Sequence, residues 1–177
     1  MVPEQSEKSI VFKFFGAILI LVSAFIWGYL SSLTPYRRYK SLLKINAGLL
    51  AMQNEIRYSS DYIDNILIKV SKIIDFDKLF LTCAESDKTL SLSERWRNSV
   101  TEDSVPLHLS KEDCEILIML GAELGMTDRE GQLKNIENTI SMLKSMQINS
   151  KEEYQKLSKL KKSLGITLGL FVVIMLL

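Results

Sequence analysis

Residues 127–177, TDREGQLKNIENTISMLKSMQINSKEEYQKLSKLKKSLGITLGLFVVIMLL, decide the fold of this chain. Thr127-x-x-Glu130 has the form of a capping box, and no proline follows before the last residue, so one helix can run from here to the end. Leu133, Ile136, Ile140, Leu143, Gln147, Ser150, Tyr154, Leu157, Lys161 and Leu164 recur in steps of three and four, the spacing of a heptad seam. Polar residues at 147, 150 and 161 weaken the seam toward its end, so they rest there on a polar partner or on solvent. From Leu164 the chain is uncharged and mostly large and apolar, and Lys151, Lys156, Lys159, Lys161 and Lys162 come just before. The spacing predicts an antiparallel helical bundle whose long terminal helix continues into a membrane segment, 163–177.

A second apolar segment lies near the start. Phe14 to Tyr36 contains no charged residue, and about 20 helical residues are enough to cross a ~30 Å hydrocarbon core. The expectation is a transmembrane helix over 14–34, preceded by an outer tail, 1–13. Arg37, Arg38, Lys40 and Lys44 follow it against Lys8 and Lys13 before it, which places the intervening 36–162 domain in the cytoplasm and both termini outside. A cleaved signal peptide is the competing reading. The run is longer than a usual h-region, and Ser-x-Phe and Leu-x-Ser are poor cleavage sites. The closing segment, at about 21 Å, is short for a span and lacks the polar face of an interfacial helix. Ala24-x-x-x-Gly28 and Gly165-x-x-x-Gly169 would let helices approach closely in the membrane, with lipid-facing glycine as the alternative.

Between the apolar segments the periodicity is helical throughout. Leu42, Ile45, Leu49, Met52 and Ile56 form one stripe, and Ile63, Ile66, Leu67, Val70 and Ile74 form the next, opened by a cap at Ser60 or Asp61. A short apolar piece, 76–83, leads to Ser91-x-x-Glu94, a capping box before a helix with Trp96 and Val100. A loop over 101–109 contains Pro106. Ser110-x-x-Asp113 then opens a helix through Cys114, Leu117, Leu120 and Leu124 that stops at Gly125. Trp96, flanked by Arg95 and Arg97, is read as a core anchor, with a binding surface as the alternative.

Charge and motifs narrow the function. With 22 basic and 21 acidic side chains the net charge is +1, which argues against polyanion binding and nucleic acid as a partner. No phosphate-cradling loop, paired C-x-x-C, H-E-x-x-H or G-x-S-x-G is present. The expectation is a protein that is not an enzyme, with no catalytic residue, cofactor or metal site. His108 is the sole histidine, and Cys83 and Cys114 are expected as reduced, buried thiols.

The residues also carry a likeness. A membrane anchor, Glu55-Ile56-x-Tyr58 ending a helix, Trp96, Leu124-Gly125-x-x-Asp128-x-x-x-Gln132 and the tail Leu164-Gly-x-x-x-Gly-Leu together resemble the stage III sporulation protein AB family of endospore-forming bacteria. Two departures are visible: Asp61-Tyr62-Ile63 stands where a Thr-Pro-Leu type start is expected, and extra residues precede Phe14. The resemblance implies an accessory of the channel complex between mother cell and forespore, in the mother-cell membrane facing the forespore. It further implies likeness to the cytoplasmic domain of the F-type platform proteins of type II secretion, and a role beside a cytoplasmic ATPase of the same complex.

The function expected is a membrane platform that docks this ATPase and other channel-complex membrane proteins, and a homo-oligomer is compatible with it. Glu55, Arg57 and Tyr58 at the first hairpin and Asp128, Arg129 and Gln132 at the start of the terminal helix are the contact candidates. Capping and hairpin packing are the alternative explanation for all of them. The rival function is a signalling membrane protein whose 133–164 seam forms a homodimeric coiled coil.

Overall fold

The computed structural model describes Ile18, Val22 and residues 33–59, 61–73 and 78–176, without the side chains of 162, 166 and 168–176. All extended elements among them are helices: α1 (Leu33–Tyr58), α2 (Ile63–Ile73), α3 (Lys78–Glu85), α4 (Leu92–Asp103), α5 (Lys111–Glu123) and α6 (Arg129–Leu176). The chain divides into one unit of Pro35–Glu153 and a second made of the two remaining ends, Met1–Thr34 and Tyr154–Leu177.

In the first unit the helical stripes become the core. Leu42, Ile45, Leu49, Met52 and Ile56 of α1 are all buried, as are Ile66, Leu67 and Val70 of α2, Leu79 and Phe80 of α3, Leu117 and Leu120 of α5, and Ile136 and Leu143 of α6. Fully burying one such side chain is worth about 1.5–3 kcal/mol, so the stripes alone supply most of the drive to collapse. Trp96 anchors the otherwise polar α4. It is 0% exposed, packs edge-on against Phe80 with centroids 5.7 Å apart, and donates from its indole N–H to the Leu117 carbonyl at 2.7 Å. Gly121, one turn along α5 from Leu117, makes room: a Cβ there would lie 2.2 Å from Trp96 Cδ1. Arg95 turns inward, 5% exposed, to Asp64 Oδ1 at 2.7 Å.

The seam of α6 alternates as its spacing requires. Ile136, Leu143 and Ser150 are buried, Leu133, Ile140, Gln147, Tyr154, Leu157 and Lys161 half-buried, and Leu164 is 61% exposed. Its polar positions in the first unit meet α1 of the same chain. Asn46 Nδ2 donates to Gln147 Oε1 at 3.1 Å, and Ser150 Oγ donates to the Pro35 carbonyl at 2.9 Å. With Gln53 Nε2 donating to the Leu133 carbonyl, these contacts make α1 and α6 antiparallel.

Both reciprocal capping boxes at Ser91/Glu94 and Ser110/Asp113 are formed, and Gly125, with φ 77°, takes the left-handed conformation that ends α5 after its C-cap Leu124. Three local expectations are corrected. The cap of α6 is Asp128, whose Oδ1 accepts the Gly131 N–H at 3.0 Å, and not Thr127; Gly131 has no side chain to reach back and complete a box. Before α2 the Tyr62 carbonyl accepts the first helical N–H, from Ile66, while the Asp61 carboxylate is taken by Lys69 at 2.5 Å; Ser60 lies outside the described residues. Residues 101–103 belong to α4 and not to the following loop.

The terminal helix runs unbroken from Arg129 to Leu176, 48 residues. Among the described residues no helix is long and apolar enough to cross a membrane. Of the expected span over 14–34, only Ile18, Val22, Leu33 and Thr34 are described, so Ala24 and Gly28 lie outside the described residues. Gly165 and Gly169 fall in α6, and a Cβ on Gly165 would meet nothing within 4 Å among those residues.

Candidate functional site

The two groups of contact candidates, about 70 residues apart in sequence, meet at one end of the bundle. The joint is Arg129, whose Nη2 donates to the Ser59 carbonyl at 3.0 Å and so holds the α1–α2 hairpin against the start of α6. Four of the six candidates are engaged locally. Glu55 Oε2 accepts from Lys69 Nζ at 3.2 Å, Asp128 caps α6, Arg129 holds Ser59, and Gln132 Nε2 donates to the Thr127 carbonyl at 3.0 Å. The other two, Arg57 and Tyr58, face solvent, Tyr58 at 83% exposure.

Between hairpin and helix lies a cavity of about 340 Å³. Ile56, Ile63 and Ile66 are its apolar lining, and Ser59, Asp61, Tyr62, Arg129 and Gln132 its polar one. Gln132 Oε1 is buried and has no hydrogen-bond donor among the described residues. Lys69, bonded to Asp61 and then to Glu55, holds the Asp61 carboxyl below its usual range, and the Lys69 ammonium is raised in turn by the same pair. Tyr62, 85% exposed, and Met126, 80% exposed in the α5–α6 turn, share this end with Tyr58. Motif reading singled out neither Tyr62 nor Met126 as exposed at this end. A large aromatic or thioether side chain inside a polar turn is the signal that could have found them.

At the other end of α1 stands a different cluster, which motif reading did not single out. Arg38 donates from Nε to Asp113 Oδ2 at 2.8 Å and from Nη2 to Asp113 Oδ1 at 2.9 Å and Ser110 Oγ at 3.0 Å. Asp113 is fully buried and also accepts the Ser110 backbone N–H at 2.8 Å, so the capping box of α5 doubles as the seat of an arginine. The Asp113 carboxylate raises the Arg38 guanidinium further above its ordinary value. The pair ties the first turns of α1 to the start of α5.

The thiols are poor nucleophiles. Burial pushes Cys83 up to about 11, and Cys114, half-buried beside Asp113 and Glu115, is also raised, mainly by burial. His108 sits in the α4–α5 turn with φ 54°, its backbone N–H donating to the Val105 carbonyl at 3.0 Å.

Three comparisons bear on this arrangement. The family model for stage III sporulation protein AB matches residues 13–177. A relative described as stage III sporulation protein AB, from Bacillus subtilis (strain 168), is 26% identical over 168 residues, covering 93% of this chain and 98% of that protein. A solved structure of stage III sporulation protein AB (SpoIIIAB) superimposes with a TM-score of 0.59 at 22% identity, covering 67% of this chain and 96% of that one, a likeness of fold. With the match extending over nearly its whole length, the chain belongs to the stage III sporulation protein AB family.

Proposed function

We propose that this protein is a non-enzymatic membrane platform of the mother cell to forespore channel complex, and that the hairpin end of its bundle docks the cytoplasmic ATPase of that complex. The observation that carries the reading is the convergence of residues 55–62 and 126–132 on one end, where Tyr58, Tyr62 and Met126 are each at least 80% exposed. Aromatic and methionine side chains are enriched at interfaces because they bury much area for few lost rotamers. In this reading Phe14 to Leu33 spans the mother-cell membrane facing the forespore, and the apolar end of α6 enters the same membrane. The bundle then lies in the cytoplasm and both termini outside. The long α6 starts at the docking end, so it connects ATPase contact to membrane partners.

The test is co-elution of the full chain, in detergent micelles, with the ATPase. Tyr58→Ala and Arg129→Glu are expected to weaken co-elution at least tenfold, the loss for truncating an anchor worth about 1.4 kcal/mol or more. Unchanged co-elution for both variants removes this end from the interface.

A further inference from the structure

Turn tips favour Gly, Asn, Asp and Ser, yet the turn between α4 and α5 reads Val-Pro-Leu-His-Leu over residues 105–109. Leu107 and Leu109 are half-buried and pack on the core, whereas Val105 is 80% exposed and Pro106 is exposed beside it. The tip is held firmly. The Leu107, His108 and Leu109 N–H groups donate to the carbonyls of Asp103, Val105 and Ser104 at 3.0, 3.0 and 2.9 Å, and His108 takes φ 54°, a conformation uncommon outside glycine. One exposed valine is ordinary on a protein surface; its place in the fold is what singles this one out.

That place is set by Arg38. Its Nη2 donates to Ser110 Oγ at 3.0 Å while it also holds Asp113, so the turn and the first residues of α1 belong to the same end of the bundle. α1 is one helix from Leu33, and five residues at 1.5 Å each put Arg38 about 7–8 Å along its axis from Leu33. With Phe14 to Leu33 in the membrane, that distance matches the depth of one headgroup layer, about 5–8 Å. The start of α4 belongs to the opposite end, where Leu92 Cδ2 lies 3.5 Å from the position of a Cβ on Gly125, in the turn before α6. Arg37 and Lys111 are exposed near the turn, but so are Glu102 and Glu112, so net charge supplies little attraction and the apolar tip is left to supply it.

We propose that the α4–α5 turn rests in the headgroup layer of the membrane, with Val105 and Pro106 directed toward the acyl boundary. The occupant of this surface is lipid, because Arg38 ties the turn to a helix that emerges from the bilayer a few residues earlier. The proposal rests on the reading of Phe14 to Leu33 as a span and adds a second, non-spanning contact that fixes how the bundle is held against the membrane.

Asn98, Thr101 and Val105 lie in steps of three and four on one exposed stripe, which Ser104 continues with helical backbone angles, φ −57° and ψ −46°. A diazirine side chain is placed at each of the three in turn, at Met126 as the far end of the bundle, and at Val22 as a reporter of the apolar segment. All these sites are exposed, so the bundle tolerates the change, and far-ultraviolet circular dichroism of each variant checks that it does. The full chain is reconstituted into phosphatidylcholine vesicles and irradiated, and lipid adducts are counted by mass spectrometry. The yield should be highest at 105, lower at 101, and fall to the level of 126 at 98, which lies about 10 Å back along the helix and so beyond the headgroup layer. A yield that is flat along the stripe, or that rises toward 98, overturns the proposal. Adducts at 22 with none at 105 defeat the contact of the turn alone. Graded adducts at 105 with none at 22 uphold that contact and defeat the span, and none at either position defeats both.

Discussion

Replacing Arg38 with methionine isolates the joint between α1 and α5. The variant leaves a fully buried Asp113 carboxylate that has lost donors at 2.8 and 2.9 Å and keeps the Ser110 backbone N–H at 2.8 Å. Breaking a buried pair by removing one partner costs about 3–5 kcal/mol. The retained Ser110 bond and the 18% exposure of the Arg38 side chain, which lets water reach the site, put the expected loss at the lower end, about 3 kcal/mol. For a chain of this size each kcal/mol lowers Tm by about 2–4 °C, so a fall of about 6–12 °C is expected. Arg38→Lys keeps the charge but loses the two-pronged geometry, and its fall should be about half as large. Thermal unfolding of the full chain in micelles, followed by far-ultraviolet circular dichroism, measures both. A methionine variant within about 2 °C of the parent would refute the reasoning, since Arg38 would then be no more than a basic residue flanking an apolar stretch of sequence.

Other consequences are open to measurement. Asn46→Leu or Gln147→Leu alone should cost about 1–3 kcal/mol by stranding the other amide, whereas the double variant should recover most of it; a double-variant cost equal to the sum of the two single costs in urea unfolding would deny the coupling. Gly121→Ala drives a methyl into Trp96 and should destabilise by about 1–3 kcal/mol with a changed near-ultraviolet tryptophan signal, and an unaltered spectrum would contradict that packing. The Cys83 thiol, raised to about 11 from an ordinary 9.0, has its neutral form favoured by folding. That stabilisation is present below the unfolded value and lost as pH rises through the folded one, so at pH 8 Cys83 should resist iodoacetamide until urea unfolds the chain. Rapid alkylation in the native state would place Cys83 outside the core.

Much of the bundle was legible because helical period and burial are the same fact seen twice. Leu42, Ile45, Leu49, Met52 and Ile56 lie on one face at any folding of the rest, and all five are buried. The Ser91 and Ser110 caps were legible because each closes its hydrogen bonds within four residues. At the start of α6 two adjacent residues, Thr127 and Asp128, could each have capped. The choice fell to Asp128 because Gly131 brings its N–H within reach, a detail of geometry and not of pattern. The Arg38–Asp113 pair joins residues 75 apart, and Arg38 already had a sufficient explanation as a basic flank of the apolar segment. At the hairpin end the six candidate residues were identified, but their division was not. Whether Glu55 binds inward and Tyr58 projects outward depends on where Lys69 and Ser59 come to lie. Tyr62 and the cavity beneath it exist only once the hairpin closes on α6.

A photo-crosslinking residue placed at Tyr58 or Met126, with Val105 in the turn before α5 as the control, tests the proposed platform most directly. All three side chains are at least 80% exposed, and Val105 belongs to the end of the bundle where Arg38 meets Ser110. Irradiated in sporulating cells, positions 58 and 126 should bridge to the cytoplasmic ATPase and position 105 should not. Bridges to the ATPase from 105 alone, or from none of the three, would contradict the hairpin end as the docking face.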